Sequence, residues 1–150
     1  MLKEGDRAPD FEVPDDSSTP VRLSSLRGRN VVLYFYPKAN TPGCTIEANE
    51  FRKAMAAFEK KNAVVLGISP DSPKAQASFK EKQCLPFQLL ADEEKTVAQA
   101  YGVWQEKNMY GRKVMGIVRS TFLIGEAGAI RRVWSKVKPE GHAEQVLAAL

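Results

Sequence analysis

The stretch Asn30-Val31-Val32-Leu33-Tyr34-Phe35-Tyr36-Pro37, continuing as Lys38-Ala39-Asn40-Thr41-Pro42-Gly43-Cys44-Thr45-Ile46-Glu47, decides the fold class. Its first half is an unbroken β-branched and aromatic run, the pattern of a strand buried on both faces. Pro37 stops that run. Thr41 suits an N-cap and Pro42 the first helical position. Helical spacing follows over 42–60, with Ile46, Phe51, Met55 and Phe58 near one face.

The same alternation continues outward. Ala63 to Ser69 predicts a second buried strand, 73–83 a helix opened by Ser72-Pro73, Phe87 to Leu90 a short strand, and 94–101 a helix. Val118 to Ile124 and Ala129 to Val137 read as two strands around the turn Gly125-Glu126-Ala127-Gly128, and 140–149 as a closing helix. Upstream, Ala8 to Asp16 and Val21 to Leu26 read as short extra strands. Strands alternating with helices imply a parallel sheet with right-handed crossovers, to which the late hairpin adds antiparallel strands. The expectation is an α/β chain of thioredoxin-like arrangement, a central mixed sheet flanked by helices with extra N-terminal strands. No linker or repeat divides 1–150, so one domain is expected.

Composition narrows the function. The 150 residues are 43% hydrophobic and 27% charged, a balance that supports a core without disulfides or structural metal. No apolar run approaches the ~18 residues of a membrane span. Met1-Leu2-Lys3-Glu4-Gly5-Asp6 has no apolar signal core, so a cytoplasmic location is expected. Two cysteines and one histidine cannot build a four-ligand zinc site. The net charge is +4, with Arg131, Arg132, Lys136 and Lys138 clustered late. No nucleic-acid motif accompanies them, so they read as a solvated strand face.

Cys44 lies just beyond the carboxyl end of a central strand, where open α/β sheets place their ligand sites. In the first turn of a helix its sulfur meets unpaired backbone N–H groups and the positive end of the helix dipole. That setting favours the thiolate, the reactive form. The bland alternative is a cysteine used as a small apolar side chain. A thioredoxin-type exchange site needs a second thiol three positions on, where Glu47 stands. A thiol hydrolase needs a histidine base, and His142 reads as an exposed residue at a helix start. A thiolate attacking a weak bond, such as a peroxide O–O, needs no base.

Pro37-x-x-x-Thr41-x-x-Cys44, with Tyr34-Phe35-Tyr36 before it and Glu47 after it, resembles the peroxidatic motif of the peroxiredoxins. The fuller string resembles the bacterioferritin comigratory proteins, or peroxiredoxin Q. The likeness continues through Gly67-Ile68-Ser69-Pro70-Asp71, Pro86 to Asp92, Met109-Tyr110-Gly111 and Arg119-Ser120-Thr121-Phe122. It implies a cofactor-free, metal-free thiol peroxidase acting on hydrogen peroxide and organic hydroperoxides. Cys44 would attack the peroxide and become a sulfenic acid. Thr41 would orient the peroxide, Arg119 would stabilise thiolate and leaving oxygen, Pro37 would shield the sulfur, and Glu47 would hold Arg119. Met109-Tyr110-Gly111 would be a loop beside the site. Thioredoxin would be the reductant, with glutaredoxin or a small thiol as the alternative, and the chain would be a monomer binding neither nucleic acid nor membrane.

The resemblance breaks at the second thiol. Members of this subfamily place a resolving cysteine where Asn49 stands, or where Lys80 stands. Cys84 fits neither position. At the end of its helix it is expected toward the far end from Cys44, and a disulfide, which needs Cα atoms within ~7 Å, would require both helix ends to unwind. Two readings stay open: Cys84 resolves Cys44, or Cys84 is a buried apolar residue and an external thiol does so. A basic binding or chaperone-like domain without turnover is the third.

Overall fold

The computed structural model describes residues 2–150. Met1, part of the N-terminal stretch read above, lies outside the described residues. A short antiparallel pair, β1 (Glu12–Pro14) and β2 (Pro20–Arg22), opens the fold, followed by a 3-10 turn at Leu23–Leu26. Then come β3 (Asn30–Phe35), α1 (Pro42–Lys60), β4 (Ala63–Ser69), α2 (Pro73–Gln83), β5 (Gln88–Ala91) and α3 (Thr96–Ala100). The chain ends with β6 (Trp104–Met109), β7 (Arg112–Ile117), β8 (Ser120–Ile124), β9 (Ile130–Trp134) and α4 (His142–Ala148).

Five strands form the central mixed sheet in the order β5-β4-β3-β8-β9. β3, β4 and β5 are parallel, and β8 and β9 are each antiparallel to their neighbours. The run Val31 to Tyr36 is wholly buried, as a central strand with packing on both faces requires. Alternate residues feed two cores. Val31, Leu33 and Phe35 join Tyr101 and Phe122 under α3 and the N-terminal segment. Val32, Tyr34 and Tyr36 join Phe51, Phe58 and Phe79 under α1, α2 and α4.

Two expectations are corrected and one unassigned segment gains structure. Trp104 to Ile117 is a hairpin forming its own two-stranded sheet, and the expected loop at Met109-Tyr110-Gly111 is its turn, with Tyr110 fully exposed at the tip. The second N-terminal strand stops at Arg22, and Leu23–Leu26 coils into the 3-10 turn. Ile46 is exposed, because the inward stripe of α1 runs through Cys44, Glu47, Ala48, Phe51 and Phe58.

Candidate active site

The register of β8 on β3 builds the site. Phe35 lies opposite Ser120, so the residue before Ser120 meets the chain leaving β3. That residue is Arg119, whose carbonyl oxygen accepts the Val137 N–H at 3.0 Å. The chain leaving β3 runs through Pro37 and Thr41 into α1 and delivers Cys44 to the first helical turn.

Cys44, Arg119 and Glu47 come together there. Arg119 Nη2 donates to Cys44 Sγ at 3.4 Å and Nη1 donates to Glu47 Oε1 at 2.7 Å. Cys44 and Glu47 are each 1% exposed, while the Arg119 side chain keeps 16% exposure and so forms the site's outer wall. A Cβ built on Gly43 would lie 3.2 Å from Arg119 Nη2, so glycine lets the guanidinium lie across the helix start. Burial pushes the Glu47 carboxyl up to about 7, against the opposing pull of Arg119. Glu47 and Cys44 both favour the charged guanidinium, and the Arg119 pKa rises further despite its own partial burial.

Thr41 is the backbone N-cap of α1, but its side chain does not cap. Its hydroxyl donates instead to Lys38 O at 2.8 Å, which leaves the oxygen free to accept a hydrogen bond. Pro37 is exposed just past the end of β3.

The loop between β3 and α1 is held by a network that sequence reasoning missed. Asp71 Oδ2 accepts from Ala39 N–H at 2.8 Å and from Ser69 Oγ at 2.6 Å. Gln76 Nε2 donates to Ser69 Oγ, and Tyr36 Oη donates to Gln76 Oε1 at 2.6 Å. Gln76 is wholly buried beside Phe79 on α2, and a buried amide needs such partners; among the polar residues of α2 nothing in the sequence marks it out.

His142 corrects another expectation. It is 1% exposed, with Nε2 sharing a hydrogen bond of 2.7 Å with Thr121 Oγ1 and its ring edge-on to Phe51 and Trp134. Burial lowers its pKa and keeps it neutral. Its role is to dock α4 on the sheet, and the sulfur's polar neighbour is the guanidinium.

Cys84 is exposed, so the reading of it as a buried apolar residue falls. It caps α2 in a left-handed backbone conformation, φ 53° and ψ 46°. Asn49 Nδ2 donates to Gln83 Oε1 at 2.9 Å, so the end of α2 lies beside the second turn of α1. Five residues of helix, ~7.5 Å of axis, separate that turn from Cys44. Cys44 faces the core and Cys84 faces solvent, and both are free thiols. No helix among the described residues is long and apolar enough to cross a membrane.

Comparisons with known proteins agree with this geometry. Residues 4–133 match the AhpC/TSA family. The chain is 50% identical over 149 residues to the putative peroxiredoxin bcp of Coxiella burnetii (strain RSA 493 / Nine Mile phase I), covering 99% of both proteins. It is 47% identical over 149 residues to peroxiredoxin Bcp of Bacillus subtilis (strain 168), covering 99% of this chain and 95% of that one. It superposes on the bacterioferritin comigratory protein of Xanthomonas campestris, studied for alkyl peroxide reduction through trapped intermediate and ligand complexes. The TM-score is 0.89 at 42% identity, over 93% of this chain and 88% of that one. A chain that places a helix-start cysteine under an arginine from the neighbouring antiparallel strand, and shares half its residues with such relatives, belongs to the AhpC/TSA family, in its Bcp/peroxiredoxin Q group of peroxiredoxins.

Proposed function

We propose that this thiol peroxidase carries its chemistry on Cys44, within one domain spanning 1–150. The observation that carries the assignment is the Arg119 guanidinium 3.4 Å from Cys44 Sγ at the start of α1. The thiolate attacks one peroxide oxygen; an S–O bond forms, the O–O bond breaks, and the leaving oxygen departs with the electron pair and takes a proton. Cys44 becomes a sulfenic acid. Arg119 faces both the sulfur and the charge developing on the leaving oxygen, and fixed donors of this kind are usually the largest catalytic term. Thr41 orients the peroxide by accepting its O–H. Pro37 shapes the mouth of the pocket, and Glu47 positions Arg119. Substrates are hydrogen peroxide and organic hydroperoxides.

Cys84 resolves the sulfenic acid after local unwinding, and thioredoxin reduces the resulting disulfide. Two features support this. The thiol is already exposed, and its left-handed backbone costs ~1–2 kcal/mol that unwinding releases. The opposite orientations of the two thiols, Cys44 toward the core and Cys84 toward solvent with its helix intact, support a second reading, in which an external thiol such as a glutaredoxin or small thiol completes a one-cysteine cycle. The protein acts as a cytoplasmic monomer.

Mass spectrometry after an equimolar dose of hydrogen peroxide, with and without a sulfenic-acid trap, tests the assignment. A Cys44–Cys84 peptide supports the two-cysteine cycle. Trapped sulfenic acid on Cys44 with Cys84 free supports the external thiol. Unmodified Cys44 overturns the assignment and leaves the non-catalytic binding domain.

A further inference from the structure

Glu47 is a member of the inward stripe of α1, where every other residue is apolar or the reactive cysteine. Its carboxyl is bonded on one side only. Oε1 accepts from Arg119 Nη1, while Oε2 is buried with no hydrogen-bond partner. An ionised carboxylate in such a place is costly, because the unpaired oxygen has lost its water and gained nothing. Arg119 brings one positive charge and faces two acids, Glu47 on one nitrogen and Cys44 on the other. It neutralises one of them.

The surrounding groups do not change that balance. Glu50, next on α1, spends both carboxylate oxygens on Gly141 N–H and repels a Glu47 charge. His142 on α4 is held neutral by burial. Tyr34 on β3 is kept in its phenol form by burial, and Lys107 on β6 is discouraged from charging by its own partial burial and by Arg119.

We infer that Glu47 is the proton-holding residue of the oxidative step: its carboxyl keeps a proton while Cys44 is a thiolate and gives it up as Cys44 becomes sulfenic acid. The step then balances without solvent protons. Thiolate, protonated Glu47 and hydroperoxide yield sulfenic acid, Glu47 carboxylate and alcohol, or water from hydrogen peroxide. The S–O bond forms, the O–O bond breaks, and the proton lost from Glu47 equals the one gained by the leaving oxygen. Arg119, released from the sulfur's charge, then pairs with Glu47 alone. The raised Glu47 pKa, about 7 against an ordinary 4.5, agrees with a carboxyl that holds its proton near neutrality.

The inference rests on Cys44 being the thiolate that peroxide oxidises, and the test separates the two. Single-turnover oxidation of the full-length protein by hydrogen peroxide is followed in weak buffer with a pH-indicator dye, and Cys44 oxidation is scored by mass spectrometry as trapped sulfenic acid plus any Cys44–Cys84 disulfide, whose formation from sulfenic acid and thiol releases water and no proton. Wild type is expected to take up no proton per Cys44 oxidised, and Glu47→Gln is expected to take up one. Equal uptake in the two proteins overturns the inference while leaving Cys44 in its role. Wild-type Cys44 found neither as trapped sulfenic acid nor in a disulfide overturns both. Infrared difference spectra supply a second readout that needs no Glu47 variant. Protein labelled with carbon-13 glutamate is expected to show a protonated-carboxyl band in the reduced state that is lost on oxidation and absent from Cys44→Ser. A band that survives both changes, or is missing from reduced wild type, overturns the inference.

Discussion

Replacing Arg119 tests the electrostatic core of the site. Its Nη2 lies 3.4 Å from Cys44 Sγ. At the effective dielectric of about 20 that suits protein sites, a unit charge pair at this separation attracts by about 5 kcal/mol. Part of that is recovered in a variant, because water enters and the helix start stays in place. Loss of one donor aimed at developing charge costs ~2.7–4 kcal/mol elsewhere, or ~10²–10³-fold in rate. Arg119→Met is therefore expected to slow Cys44 oxidation by hydrogen peroxide about 10²–10³-fold, read as the second-order rate at which the Cys44 thiol is lost to peroxide. Arg119→Lys keeps the charge but cannot span both partners, since separate nitrogens serve Glu47 and Cys44. It should fall between wild type and Arg119→Met. Circular dichroism must show both variants folded, because breaking a buried ion pair costs ~3–5 kcal/mol when one partner stays charged. A folded Arg119→Met within threefold of wild type would refute the reasoning.

Gly67 on β4 sits where a Cβ would come within 2.9 Å of Tyr34 Cζ and Oη and of Leu89 Cδ2. Leu89 can turn aside, but the Tyr34 ring is stacked on Phe51 at 4.6 Å, so Gly67→Ala should lose ~1–3 kcal/mol of stability in urea unfolding. A change under half a kcal/mol would mean the ring gives way freely. The Glu47 carboxyl, raised from 4.5 to about 7, adds stability that is full below 4.5 and lost as pH rises through about 7, by about 3 kcal/mol at most. His142 acts in the opposite sense, since its lowered pKa supports the fold above 6.5 and withdraws that support as pH falls. The difference in unfolding free energy between wild type and Glu47→Gln isolates the first effect, and it should favour wild type most below pH 4.5 and shift toward the variant as pH rises through about 7. A difference independent of pH between 4.5 and 7 contradicts a raised carboxyl.

The helices α1 and α2 were legible to the residue, because Thr41-Pro42 and Ser72-Pro73 mark their starts and apolar spacing carries them on. The buried strands were legible for a similar reason, being continuous apolar runs. The hairpin of β6 and β7 was not. Its residues are mostly exposed, so no apolar face imposes a period of two. At the site, the proximity of Cys44 and Arg119 followed from motif resemblance, and no local pattern could give it. They are 75 residues apart and meet through strand register. Ile46 was misread because periodicity assigns an apolar residue inward, whereas the structure leaves it exposed and buries Glu47, whose contact with Arg119 came from the motif resemblance and not from the pattern. His142 failed similarly, since its partner Thr121 comes from β8. Polar residues buried for a purpose are invisible to hydrophobic patterning.

The antiparallel placement of β8 makes the chemistry possible. In a parallel sheet every strand presents its carboxyl end at the edge where Cys44 sits, so a residue from the start of a strand reaches that edge only if the strand runs the other way. β8 does so, and Phe35 opposite Ser120 fixes Arg119 level with the chain entering α1. A slip of one residue would turn every β8 side chain to the wrong face, and a slip of two would carry Arg119 ~7 Å along the strand, out of reach of the sulfur. The burial of Ser120 to Ile124 forbids both, because Phe122 and Leu123 fill opposite cores. The hydrophobic packing that holds the sheet together thus also sets the distance between guanidinium and thiol. The Asp71, Ser69 and Gln76 network does the same from the other side by fixing the loop that carries the sulfur.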